Sequence, residues 1–184
     1  MDDLQAVRRM KNGEMDGLES LVQRYQIKAI RAAFMIVQDE AAAEDVVQET
    51  FLQLYRNIRR FDEARPLEPY LLRSVVNAAL NTARRAAKSH SLDADPVRFE
   101  NLLSQAALVE SQIEFNQRKD EILTAISQLP PRQRAAIVQR YYLEMSEQEM
   151  SEALAAPPGT VKWLLNAART RLRNLLHPQR SADQ

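Results

Sequence analysis

The chain has 184 residues, a formal net charge of zero and no cysteine. Disulfides and thiolate metal sites are therefore excluded, while the length admits one mid-sized domain or two small ones. Only Gly13, Gly17 and Gly159 interrupt long stretches rich in Ala, Leu, Gln, Glu and Arg, so an all-α chain is expected.

The N-terminus, MDDLQAVRRM, lacks the apolar core of a signal peptide. No apolar run approaches the roughly 20 residues needed to cross a bilayer. The expectation is a soluble, cytoplasmic chain with no membrane insertion of its own. Zero net charge conceals segregation: Asp39, Glu40, Glu44, Asp45 and Glu49 form an acidic run, Arg dominates from Arg56 to Lys88, and Thr160 to Arg180 contains bases but no acid. This suggests one acidic docking surface and two basic ones.

In chain order, a short helix from about Leu4 to near Gly13 comes first. Asp16 and Glu19 then have the spacing of a capping box for a second helix, whose core face is Leu18, Leu21, Val22, Tyr25, Ile30, Ala33, Phe34 and Val37. A third helix begins near Asp39 and buries Val46, Val47, Phe51, Leu54, Tyr55 and Ile58. Pro66 and Pro69 suit the opening turn of a fourth, which packs through Leu67, Tyr70, Leu71, Val75 and Leu80 and runs to about Lys88. Its remaining polar residues are Arg73, Asn77, Asn81, Arg84 and Arg85.

The segment SHSLDADPV opens a linker with a short helix around Phe99–Val109. Beyond it, one helix ends at Leu129, a second opens with Pro131, a third is capped by Ser146 with Glu149, and a long fourth is capped by Thr160 after Pro157-Pro158-Gly159. The last two read as a helix-turn-helix. Val161, Leu164, Leu165, Ala168, Leu172, Leu175 and Leu176 supply the core side of the final helix. Lys162, Trp163, Asn166, Ala167, Arg169, Thr170 and Arg173 lie opposite, where such a helix reads a major groove. On the third helix, Asp45, Gln48, Glu49 and Leu52 recur at i, i+3, i+4 and i+7, a mixed acidic and apolar stripe suited to a basic protein partner. The fold class is thus two small helical domains, 1–88 and 119–178, joined by a linker over 89–118 and followed by a tail over 179–184.

Glu44-Asp45-Val-Val-Gln48-Glu49-Thr-Phe51-Leu52 closely resembles the polymerase-binding helix of sigma-70 family factors of the extracytoplasmic-function (ECF) group, often E-D-x-x-Q-E-x-F-x. Phe61 to Lys88 resembles the promoter-melting helix of that family. The segment from Leu129-Pro130 through Ser146 and Glu149 to Ala168-Arg169 resembles its C-terminal helix-turn-helix. The resemblance implies a bacterial initiation factor that binds core RNA polymerase and promoter DNA under the control of an anti-sigma factor. Asp45, Gln48, Glu49, Leu52 and Tyr55 would dock on the clamp helices of the largest subunit, and the flap of the second subunit is a further implied contact. Asn77 and Asn81 would lie against the opened minus-ten element, with Arg59, Arg60, Phe61 and Arg65 in or beside the loop that captures a flipped-out base. Arg84, Arg85 and Lys88 would hold phosphates. Thr160, Lys162, Trp163, Asn166, Ala167, Arg169, Thr170 and Arg173 would read the minus-thirty-five element.

The family's recognition helix often reads T-V-K-S-R-L-x-R-A-R. Here Trp163 replaces Ser, while Leu164 and Ala167 each replace Arg, so two guanidiniums are expected to be missing from the DNA face. No glycine-rich phosphate loop or nucleophile motif occurs, and His90 and His177 are isolated, so no catalytic residue, metal or cofactor is expected. Two rival readings remain at this point: a dimeric helix-turn-helix regulator, and a helical adaptor that does not touch DNA. Neither accounts for the Asp45 to Tyr55 motif followed by Asn77 and Asn81.

Overall fold

Asp2 opens the first helix, α1 (Asp3–Lys11): its carboxylate accepts from the backbone N–H of Gln5, and the Gln5 side chain accepts in return from Asp2 N–H. This reciprocal cap uses a Gln rather than a Glu and was not expected from the sequence. The structure is a computed structural model that describes residues 1–89 and 112–177, with side chains over 1–87 and 118–177. Gly13, at φ +86°, reverses the chain.

α2 (Met15–Val37) starts immediately afterwards, with Glu14 at the cap position and no side-chain cap bond. The expected capping box of Asp16 with Glu19 is therefore corrected. The tight Gly13 turn starts the helix two residues earlier, leaving Asp16 inside the first turn, where it pairs with Arg9 of α1.

Gly17 sits where α1 and α2 meet. A Cβ placed there would lie 2.4 Å from the Ala6 carbonyl oxygen and 3.0 Å from the Met10 side chain. Gly17→Ala gains about 1 kcal/mol of helix propensity, but the backbone overlap forces the helices apart. We expect a net loss of about 1–3 kcal/mol, typical of overpacking. A urea melt with an unchanged or higher midpoint would contradict this.

Gln38, at φ 66°, ends α2, and Asp39 caps α3 (Glu40–Asn57) by accepting from Ala42 N–H at 2.7 Å. A 3₁₀ turn, Ile58–Arg60, and a short loop lead to α4 (Leu67–Ser89). Pro66 precedes this helix and Pro69 occupies its first turn. The expected short helix around Phe99–Val109 lies outside the described residues. α5 (Gln112–Ser127) already begins inside the segment read as linker.

α6 (Pro131–Ile137) has Pro at its first position and widens into a π turn over Val138–Tyr142. Ser146 and Glu149 form the expected capping box of α7 (Glu147–Ala153). The final helix, α8 (Pro158–Leu176), starts earlier than expected: Pro158 supplies its first position, and Thr160 lies in the first turn rather than capping it. Proline is favoured there because the N–H it lacks has no partner inside the helix.

α2 lies at the centre of the first half, packed on α1, α3 and α4, and α8 is the spine of the second half, packed on α5, α6 and α7. The two domains also touch: α6 rests on α2 and α4, and α7 rests on α4. Their apolar residues form one continuous core from Ala6 to Ala168. Arg73 of α4 pairs with Glu152 of α7 across this junction.

Candidate nucleic-acid and protein interfaces

On α3 the burial pattern separates two faces. Val46, Val47, Phe51 and Leu54 are buried, while Asp45, Gln48, Glu49 and Leu52 are exposed and Tyr55 is half-buried. All five predicted docking residues thus share one accessible stripe. Glu49 is lightly engaged, accepting from Gln53 at 3.2 Å and pairing with Arg56 at 3.5 Å. An apolar groove between α2 and α3, lined by Leu18, Val22, Ile30, Val47, Phe51 and Leu52, runs alongside the carboxylates. Exposed Leu52 forms its rim, so acid and apolar contact are available side by side.

On α4, Asn77, Asn81, Arg84 and Arg85 are all exposed. Arg73, one turn before Asn77, continues their row but is half-buried and paired with Glu152. The amides leave donors and acceptors available for a partner, as reading unpaired bases requires.

The loop before α4 is more constrained than its sequence suggests. Phe61 packs against Tyr70 in a T-shaped arrangement, with ring centroids 5.1 Å apart, so part of its ring is engaged in the fold. Lys11 donates to the Phe61 carbonyl at 2.9 Å and to Glu63 at 2.8 Å, and Arg8 donates to the other Glu63 oxygen at 2.9 Å. The hydrogen bond from Lys11, followed by that from Arg8, holds the Glu63 carboxyl below the usual carboxylate range. α1 thereby braces the loop. Sequence patterns do not reveal this pairing, because its partners lie more than 50 residues apart. Arg59, Arg60 and Arg65 are exposed, with Arg65 3.8 Å from Asp62.

On α8, Val161, Leu164, Leu165 and Ala168 are buried, whereas Leu172, Leu175 and Leu176 are only half-buried. Lys162, Trp163, Asn166, Arg169, Thr170 and Arg173 are exposed; Thr160 and Ala167 are half-buried. Trp163 is 63% exposed and rims a shallow groove with Gln133, Asn166, Thr170 and Asn174.

Residues 21–89 match the family model of sigma-70 region 2, and residues 119–172 match that of sigma-70 region 4. The ECF RNA polymerase sigma factor SigW of Bacillus subtilis is 29% identical over 176 residues, covering 92% of this chain and 94% of its own. This chain belongs to the sigma-70 family, in its ECF group. The ECF sigma-E factor of Escherichia coli is 29% identical over 184 residues, covering 97% of this chain and 96% of its own. Among solved structures, CnrH in complex with the cytosolic domain of CnrY superposes with a TM-score of 0.64 at 23% identity, covering 99% of each chain. RpoE in complex with the anti-sigma factor NepR, from Bartonella quintana, gives 0.63 at 18%, covering 90% of this chain and 99% of that one. These two support the helical fold.

Within this sigma factor, the departures on α8 can now be separated. Leu164 is 4% exposed and belongs to the core, so the expectation that it removes a guanidinium from the DNA face is corrected. Only Ala167 leaves a gap on that side, next to exposed Trp163. In the sigma factor's region 2, Tyr70 is half-buried against Phe61, so it stands as a packing residue.

Proposed function

We propose that this ECF sigma factor binds core RNA polymerase through the α3 stripe and directs promoter-specific initiation through α4 and α8. The observation that carries this reading is the order of three outward polar faces on one chain: the Asp45 to Tyr55 stripe, the Asn77 and Asn81 row, and the outer face of α8. Asp45, Gln48, Glu49, Leu52 and Tyr55 meet the clamp helices of the largest subunit, and region 4 reaches the flap of the second. Arg59, Arg60, Phe61, Arg65, Asn77, Asn81, Arg84 and Arg85 engage the opened minus-ten element. Thr160, Lys162, Trp163, Asn166, Ala167, Arg169, Thr170 and Arg173 face the minus-thirty-five duplex. Domain boundaries at 1–88, 89–118 and 119–178 suit these roles.

The chain acts without catalysis of its own, in the bacterial cytoplasm where the polymerase works. Among the described residues, no helix is long and apolar enough to cross a membrane. An anti-sigma factor restrains it by covering one or both interfaces; RpoE of Bartonella quintana is a sigma factor solved in complex with the anti-sigma factor NepR. In vitro transcription with core polymerase and a genomic fragment library tests the reading directly. Discrete start sites that require this chain are expected; transcription that is indifferent to it, or binding of duplex operators by the chain alone as a dimer, would overturn it.

A further inference from the structure

We propose that Tyr141, together with Arg169, forms a phosphate-binding pair at the edge of the recognition helix. Tyr141 lies on the π turn, 28 residues before Arg169 in the chain. It stands beside Tyr142, which is half-buried against the core, yet Tyr141 itself is 58% exposed. The backbone that presents it is held at three points: Leu143 N–H donates to Val138 O at 3.0 Å, Met145 N–H to Gln139 O at 2.9 Å, and Arg140 to the Met145 carbonyl at 3.0 Å. Wide turns of this kind are rare and frequently mark functional sites, and this one closes its helix at Tyr142.

Arg169 Nε donates to the Tyr141 hydroxyl at 2.8 Å, and its guanidinium carbon lies 5.7 Å from the ring centre, within cation–π range. One guanidinium nitrogen also reaches Asn166 Oδ1 at 3.4 Å, linking the pair to the outer face of α8. The donor inventory then decides what the pair can bind. A tyrosine hydroxyl that has accepted one hydrogen bond still has its own proton to donate. Arg169 retains further N–H groups on its terminal nitrogens, and both partners are exposed. Two convergent donors, one charged, suit an anionic oxygen, and a helix lying in a major groove is flanked by the phosphates of the duplex. Tyr141 thus restrains Arg169, which alone is a long and flexible side chain, and adds a neutral donor of its own.

This inference rests on the promoter-binding reading of α8. The test uses holoenzyme assembled from the full chain and core polymerase, bound to promoter fragments that it selects from a genomic library, over a sodium chloride series. Tyr141→Phe removes only the hydroxyl, so affinity should fall about tenfold or less, as for one hydrogen bond. The dependence on salt should stay unchanged, because no charge is lost. Arg169→Gln should lower the slope of log affinity against log salt by about 0.9, the value for one phosphate contact. In the Arg169→Gln background, Tyr141→Phe should cost less than it does alone, the non-additivity expected of partners in one contact. Wild-type affinity in Tyr141→Phe, or full additivity of the two losses, would overturn the pair while leaving the function intact. Failure of the wild-type holoenzyme to select any fragment would overturn both.

Discussion

Asp45→Lys combined with Glu49→Lys abolishes retention of the chain on core polymerase while leaving its helical content unchanged. Both carboxylates are exposed on α3 and neither packs into the core, so folding stability should shift by no more than about 0.5 kcal/mol for each. Binding is a different matter. Reversing two charges at a complementary interface replaces attraction with repulsion and leaves basic partner groups unpaired, a loss of at least roughly 2–5 kcal/mol. That range corresponds to about thirtyfold or more in affinity. Glu49→Lys also places a like charge beside Arg56, its present partner, which slightly weakens the end of the helix. A pull-down with purified core enzyme, read beside circular dichroism, decides the matter. Normal retention with a native spectrum would remove α3 as the docking surface.

The second large effect separates the two forms of DNA recognition. Asn77→Ala with Asn81→Ala leaves closed-complex formation largely intact but reduces strand opening, because the duplex contacts of α8 remain while single-strand contacts on α4 are lost. Trp163→Ala or Lys162→Ala should instead weaken recruitment, with opening recovered at higher polymerase concentration. Trp163 is 63% exposed and Lys162 is also exposed, so neither truncation should disturb the fold. Footprinting measures occupancy and permanganate reactivity of thymines measures melting. Equal loss of both signals in the Asn double variant, or blocked melting at saturating occupancy in the helix variants, would refute this division.

Helical periodicity made most of the fold legible. The apolar rows of α2, α3, α4 and α8 correspond to their buried faces, and the Ser146 and Glu149 cap lies where its spacing indicates. The discrepancies have local causes. Asp16 and Thr160 look like caps, but a Gly13 turn and a helix-opening Pro158 move each boundary earlier in the chain. Leu164 replaces an Arg of the family pattern, and that comparison alone does not tell that its position faces the core, although the apolar spacing of α8 does. Arg8 and Lys11 on Glu63, Arg73 on Glu152, and Arg169 on Tyr141 are tertiary pairs, set by how helices pack, and no single-segment pattern contains them.

The pairing of Arg73 with Glu152 has a consequence for the chain before it meets polymerase. Lys162 has its own carboxylate as well, Glu147, at 3.6 Å. At these two positions a cation already has an internal counter-ion, which a phosphate would displace before gaining that particular contact. Random chromosomal sequence, present in vast excess over promoters, offers little reward for that exchange. Under the promoter-binding reading, Arg73 and Lys162 would thus add little to the attraction between free copies and the bulk genome.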